Sequence, residues 1–112
     1  MYIGEVSKNT GLSIKAIRFY EEKKLIPKPK RDGRYRIYDQ SDIDILLLIK
    51  EAKSLGITLA KLKSIVVYSD GQLDWVEVKE FLKLQRNLIV EQIKALNLKI
   101  EKIDDCINQI NV

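Results

Sequence analysis

Histidine is absent from these 112 residues, cysteine occurs once, at Cys106, and proline only twice, at Pro27 and Pro29. Each shortage removes a class of chemistry. Without histidine there is no imidazole base for hydrolysis or group transfer. With one cysteine, no intrachain disulfide and no zinc, copper or iron–sulfur cage of the ordinary single-chain kind can form. No catalytic residue, metal or cofactor is expected. No run approaches the roughly 18 consecutive apolar residues of a membrane span, and no signal-peptide pattern precedes the first helical segment, so the chain reads as cytoplasmic, with no membrane partner. Apolar residues make up 46% of the sequence, enough for one modest core but not two, which fits a small folded unit plus an extension.

What is present is positive charge concentrated in one window. Residues 15–36 hold nine Lys or Arg (Lys15, Arg18, Lys23, Lys24, Lys28, Lys30, Arg31, Arg34, Arg36) against Glu21, Glu22 and Asp32, an excess of +6, while the other 90 residues sum to −2. Dispersed lysine only solvates a surface. Clustered with the aromatics Phe19, Tyr20, Tyr35 and Tyr38, it is the footprint expected of a site for double-stranded DNA.

The local signals give that window a shape. Ile3 to Thr10 reads as a short helix ending at Gly11, and Ser13 can cap a second helix in which Ile14, Ile17 and Phe19 or Tyr20 follow at helical spacing up to Lys24. Joined through Gly11, Leu12 and Ser13, the two make a helix-turn-helix. Pro27 and Pro29 forbid continuation, and the alternation from Arg34 to Tyr38 after Asp32-Gly33 predicts a two-stranded ribbon, read as a wing. Asp39 and Asp42 form a capping-box pattern with Asp in place of Glu, opening a helix over Gln40 to Ser54 with Ile43, Leu46, Leu47 and Ile49 as its apolar face and Gly56 at its end. Thr58 caps a further predicted helix through about Tyr68, with Leu59, Leu62, Ile65 and Val66 facing in. The break at Ser69-Asp70-Gly71-Gln72 separates a DNA-binding domain over residues 1–70 from a linker and helix over 71–112. The fold class expected is mainly α: a winged helix-turn-helix domain with a small two-stranded wing, followed by a long C-terminal coiled-coil helix.

From Asp74 to Asn111 neither Gly nor Pro interrupts the helical pattern, which predicts one helix about 57 Å long. Leu82, Ile89, Ile93, Leu96, Ile100, Ile103, Ile107 and Ile110 follow 3,4 spacing over four heptads, with Arg86 breaking the seam. An N-terminal unit of about 68 residues cannot cover so long a stripe, so a homodimer is expected. Trp75, Val78, Phe81, Leu84 and Leu88 form a second apolar set, assigned to docking the helix on the winged domain. Periodicity alone leaves parallel and antiparallel pairing both open.

The ordered strings Ile3-Gly4-Glu5-Val6-Ser7, Gly11-Leu12-Ser13, Ile17-Arg18-Phe19-Tyr20-Glu21-Glu22, Leu25-Ile26-Pro27, Tyr35-Arg36-Ile37-Tyr38 and Leu55-Gly56-Ile57-Thr58-Leu59 resemble the DNA-binding domain of the mercury-resistance-regulator (MerR) family. With the helix that follows, the resemblance covers essentially the whole chain. It implies a homodimer whose long helices pair antiparallel, with the second helix of each protomer in the major groove and the wing on the flanking backbone. It further implies a palindromic promoter operator in the overlong spacer between the elements read by RNA polymerase, which the protein distorts so that one site serves repression or activation.

Carried over residue by residue, Lys15, Arg18, Phe19 and Tyr20 fall on the recognition helix, with Ser13 at its N-terminus placed to bond a phosphate. Arg18 is the candidate for a bidentate contact, against the plainer reading of a surface Arg paired with Glu21 or Glu22. Arg34, Tyr35 and Arg36 fall on the wing, Tyr38 beneath it, and Lys61 near the start of the fourth helix. The chain departs from the family pattern at Phe19, where Tyr is frequent, at Arg34, where a small turn residue is usual, and at Lys24, where glycine is common. Metal-sensing relatives use cysteines that this chain lacks, and Cys106, flanked by Asp104 and Asp105, reads as an inert helix-surface thiol rather than a sensor. The chain is either a naturally short regulator or the N-terminal part of a longer one. Two other functions share these features: an architectural or recombination-directionality DNA-binding protein, and a coiled-coil protein-interaction module.

Overall fold

The structure, a computed structural model, describes residues 1–66, 68, 69 and 72–112. Two compact units divide it, Met1–Trp75 and Val76–Val112. The boundary expected at residue 70 falls on Asp70 and Gly71, which lie outside the described residues.

Helices α1 (Ile3–Thr10) and α2 (Ile14–Glu22) are joined by a turn that satisfies its own polar groups. Ser7 Oγ donates to the Leu12 carbonyl at 2.6 Å, buried Thr10 Oγ1 accepts the Leu12 N–H at 3.2 Å, and Ser13 Oγ accepts the Ala16 N–H at 3.0 Å as the α2 cap. Lys50 Nζ reaches across to donate to the Thr10 carbonyl at 2.9 Å, which puts a cation at the negative end of α1.

Helix α2 ends at Glu22 with Lys23 as its C-cap, two residues short of the expected Lys24. Lys24 adopts a φ of 61°, the one positive φ outside glycine among the described residues. The Leu25 N–H bonds the Tyr20 carbonyl and the Lys24 N–H bonds that of Glu21, both at 3.0 Å. This pair of bonds, with buried Leu25 and Tyr20 flanking it, is a Schellman motif. Helix α3 (Gln40–Ser54) closes in the same way, but there Gly56 holds the left-handed position at φ 81°.

Strands β1 (Lys30–Asp32) and β2 (Tyr35–Ile37) pair antiparallel, with Asp32 opposite Tyr35. That register leaves Gly33 and Arg34 as a two-residue turn, and a positive φ of 62° at Gly33 but not at Arg34 is the type II′ pattern. Arg34 therefore fits as the second turn residue. The wing is tied to the chain start by an isolated bridge between Tyr2 and Ile37 and by the Met1 amine donating to the Tyr38 carbonyl at 2.7 Å.

The Asp39–Asp42 capping box forms as expected: Asp39 Oδ1 accepts the Asp42 N–H at 2.9 Å, and Asp42 Oδ2 accepts the Asp39 N–H at 3.0 Å. The two carboxyls split. Asp39 is held below its usual range chiefly by the Asp42 N–H, whereas burial, reinforced by the Asp39 charge, pushes Asp42 up to about 6. Along α3 the buried apolar residues are Ile43, Ile45, Leu46, Ile49 and Ala52. Leu47, expected on that face, is exposed, because α3 meets both α1 and α4 and its buried arc is wider and differently centred than a single stripe.

Helix α4 spans Leu59–Ile65, capped by Thr58 Oγ1 on the Lys61 N–H at 3.2 Å. It stops short of the expected Tyr68. Tyr68–Ser69 (β3) instead pairs antiparallel with Gln72–Leu73 (β4). The core of the first unit comprises Val6, Ile17, Tyr20, Leu25, Ile26, Tyr38, the α3 set and Leu62.

Helix α5 runs Trp75–Gln109, 35 residues and about 52 Å. Ile110 falls just beyond it, its N–H bonded to the Ile107 carbonyl at 3.1 Å. Of the seam residues, Leu82 is 36% exposed and those from Ile89 to Ile110 are 51–62% exposed. The i,i+3 pairs Glu80–Lys83 and Glu91–Lys94, at 3.4 Å, are solvent-exposed and contribute little.

Candidate nucleic-acid interface

Burying Ile17 and Tyr20 on one side of α2 turns Lys15, Arg18, Phe19 and Glu22 outward. This outward face, the Ile26-Pro27-Lys28 stretch and Arg36 of β2 line one open concavity of about 1030 Å³. Four of the residues expected at the interface, Lys15, Arg18, Phe19 and Arg36, are thus brought together. Lys24 and Lys28 join them; neither was among the expected DNA contacts, although both lie in the basic window that announced the site.

Arg18 is exposed and, among the described residues, has no ion-pair partner within 4 Å, so the plainer reading in which it pairs with Glu21 or Glu22 does not hold. Glu21 pairs with Arg36 instead, Oε2 to Nε at 2.8 Å. The Arg36 Nε–H is buried without the alignment of a hydrogen bond, so the contact is an ion pair. Phe19 is 37% exposed, its ring held edge-on to Tyr20 at 5.9 Å between centroids and under Lys23 Nζ at 5.6 Å.

Tyr20 requires correction: expected to face DNA, it is 3% exposed, because it supplies the C-terminal turn of α2 with its packing partner for Leu25, and Lys53 Nζ covers its ring at 5.7 Å. Ser13 is exposed but its Oγ already accepts the cap bond, leaving its hydroxyl proton to donate. Arg34 and Tyr35 lie on the wing outside the concavity. Tyr35, 66% exposed, meets the Tyr2 ring edge-on at 5.7 Å, and the Tyr2 hydroxyl donates to Asp32 Oδ2 at 3.3 Å. Lys61 is exposed on α4, also outside the concavity.

Residues 1–68 match the MerR HTH family regulatory proteins. Along 99% of its length the chain is 38% identical to the HTH-type transcriptional regulator CueR of Yersinia pestis, covering 71% of that protein. The chain belongs to the MerR family. The HTH-type transcriptional regulator GlnR of Bacillus anthracis is 36% identical over 72% of this chain and 63% of its own length. Among solved structures, the transcription regulator PbrR691 of Ralstonia metallidurans CH34, in complex with lead(II), superposes over the whole chain and 89% of its own with a TM-score of 0.61 at 25% identity. The fold of MtaN, the N-terminus of the Bacillus subtilis multidrug transporter activator, is shared over 96% of this chain and 97% of that one, with a TM-score of 0.65 at 22% identity. Within the MerR frame, no three metal-ligating side chains come together among the described residues here, and Cys106 is exposed.

Proposed function

We propose that this MerR-family regulator binds double-stranded DNA as a homodimer at a palindromic promoter operator in the cytoplasm. There it distorts the spacer, so that RNA polymerase initiates or is held according to the state of the complex. The observation that carries this reading is the grouping of Lys15, Arg18, Lys24, Lys28 and Arg36 around one concavity formed by α2 and the wing. Five cations facing one hollow suit a phosphate backbone, and the N-terminal turns of α2 suit base edges. The half-exposed seam from Ile89 to Ile110 supports pairing through α5, since burying these seven side chains would contribute up to about 1.5–3 kcal/mol each. Pairing of like chains explains why a palindrome is the expected operator. Promoter distortion is supported by family membership.

The test is to select duplexes from a random-sequence pool with the purified protein, footprint the chosen site in its native promoter, and transcribe that promoter in vitro. A two-fold symmetric footprint within the promoter spacer, with initiation changed by the protein, is the expected result. Protection away from promoters with no effect on initiation would instead mean an architectural role.

A further inference from the structure

Two acids line the basic concavity, and while Glu22 is exposed to solvent, the more buried Glu21 is unexplained by the DNA reading alone. Glu21 lines the same hollow as Lys15, Arg18 and Arg36, where a carboxylate should repel phosphate. Its side chain is only 12% exposed, however, and its Oε2 is engaged from two sides. Arg36 Nε approaches to 2.8 Å, and the Tyr38 hydroxyl donates to the same oxygen at 3.4 Å. Tyr38 is itself 1% exposed at the foot of the wing, so the carboxylate is braced from the core and in turn holds the guanidinium.

We propose that Glu21 is the positioning residue of this interface: it grips the Nε side of Arg36 so that the terminal Nη pair is presented to a DNA phosphate. The inference rests on the DNA reading above. An Arg fork has two usable edges, and a contact confined to Nε leaves the Nη pair for an anion. Among the described residues the Nη atoms of Arg36 donate no hydrogen bond. Burial, with the Glu21 charge beside it, pushes the Tyr38 phenol up to about 12, so it keeps its proton and remains a donor to Glu21 at neutral pH. Because Glu21 belongs to α2 and Arg36 to β2, the same contact fixes the wing relative to the recognition helix. The Nε–H is not aligned for a hydrogen bond, so charge rather than a directed bond holds the pair together.

The experiment measures affinity against salt by fluorescence anisotropy, using a labelled duplex selected by the wild-type protein from a random pool. If wild type selects no duplex, the DNA reading itself fails. If it does, Arg36→Ala should flatten the slope of log K against log salt by about 0.9 per protomer, one phosphate contact. Glu21→Gln should weaken binding about tenfold at fixed salt while leaving the slope unchanged, since the contact survives but its arginine is no longer held in place. Adding Glu21→Gln to Arg36→Ala should cost nothing more. Tyr38→Phe, which deletes only the brace, should reproduce the Glu21→Gln pattern in weaker form and keeps the test decisive if Glu21→Gln fails to fold. Tighter binding by Glu21→Gln, losses that multiply in the double variant, or an unchanged slope in Arg36→Ala would each overturn the proposal.

Discussion

The two units treat their apolar residues in opposite ways. Met1–Trp75 buries Val6, Ile17, Leu46 and Ile49 completely, whereas along Val76–Val112 the isoleucines of one helical stripe stay more than half exposed. The first unit carries a core of its own, to which α1, α2, α3 and α4 each contribute buried side chains. The second is a helix whose stability must come from elsewhere, because α5 has no sequence-local partner for a stripe four heptads long. On the proposed pairing, the contrast is between folding that is independent of concentration and folding coupled to association.

That contrast breaks most visibly with a charge in the stripe. Ile100→Glu should leave monomers in sedimentation and abolish operator binding, while Ile49→Ala in the core should cost about 2–5 kcal/mol at any protein concentration and leave pairing intact. A wild-type melting temperature that does not rise with concentration would erase the distinction. Next in size, Arg18→Ala should weaken operator binding by about 1–3 kcal/mol with the helical circular-dichroism signal unchanged, since this side chain is outside the core. Retained affinity would place the reading surface elsewhere.

A smaller effect separates the buried acid Asp42 from the solvent-facing acids of α5. The Asp42 pKa is raised from 3.8 to about 6, so the folded state holds a proton that the unfolded chain releases between those values. The resulting stabilisation is full below about pH 4 and is lost as pH rises through 6. Comparing wild type with Asp42→Asn, the wild type should therefore lose on the order of 1 kcal/mol relative to the variant between pH 4 and 7, after allowance for solvent screening. A parallel pH profile for the two proteins would contradict the buried, proton-holding state. Smallest of all, Lys24→Gly should raise denaturation free energy by about 0.5–1 kcal/mol, relieving the left-handed backbone at a net gain over glycine's added chain entropy.

What could be read in advance follows the range of the forces involved. The limits of α3 and its capping box were legible because Asp39, Asp42 and Gly56 act within a turn of the helix ends they define. The Schellman close at Lys24 was not, since its usual marker, glycine, is missing and buried Leu25 and Tyr20 impose it instead. The end of α4 was misjudged because Val66 through Ser69 suits helix and strand alike, and pairing with β4 decides. At the interface, charge and spacing pointed to Lys15, Arg18 and Arg36. They did not give the burial of Tyr20 or the Glu21–Arg36 pair, which bridges 15 positions and exists only once α2 and the wing are packed.

The exposed stripe on α5 also bears on dosage. If only the paired form reads an operator, then below the association midpoint the number of competent molecules rises with the square of the number of chains. Halving expression would then quarter the occupancy of a weak site, so a promoter governed by this protein would respond to its supply as a threshold rather than in proportion.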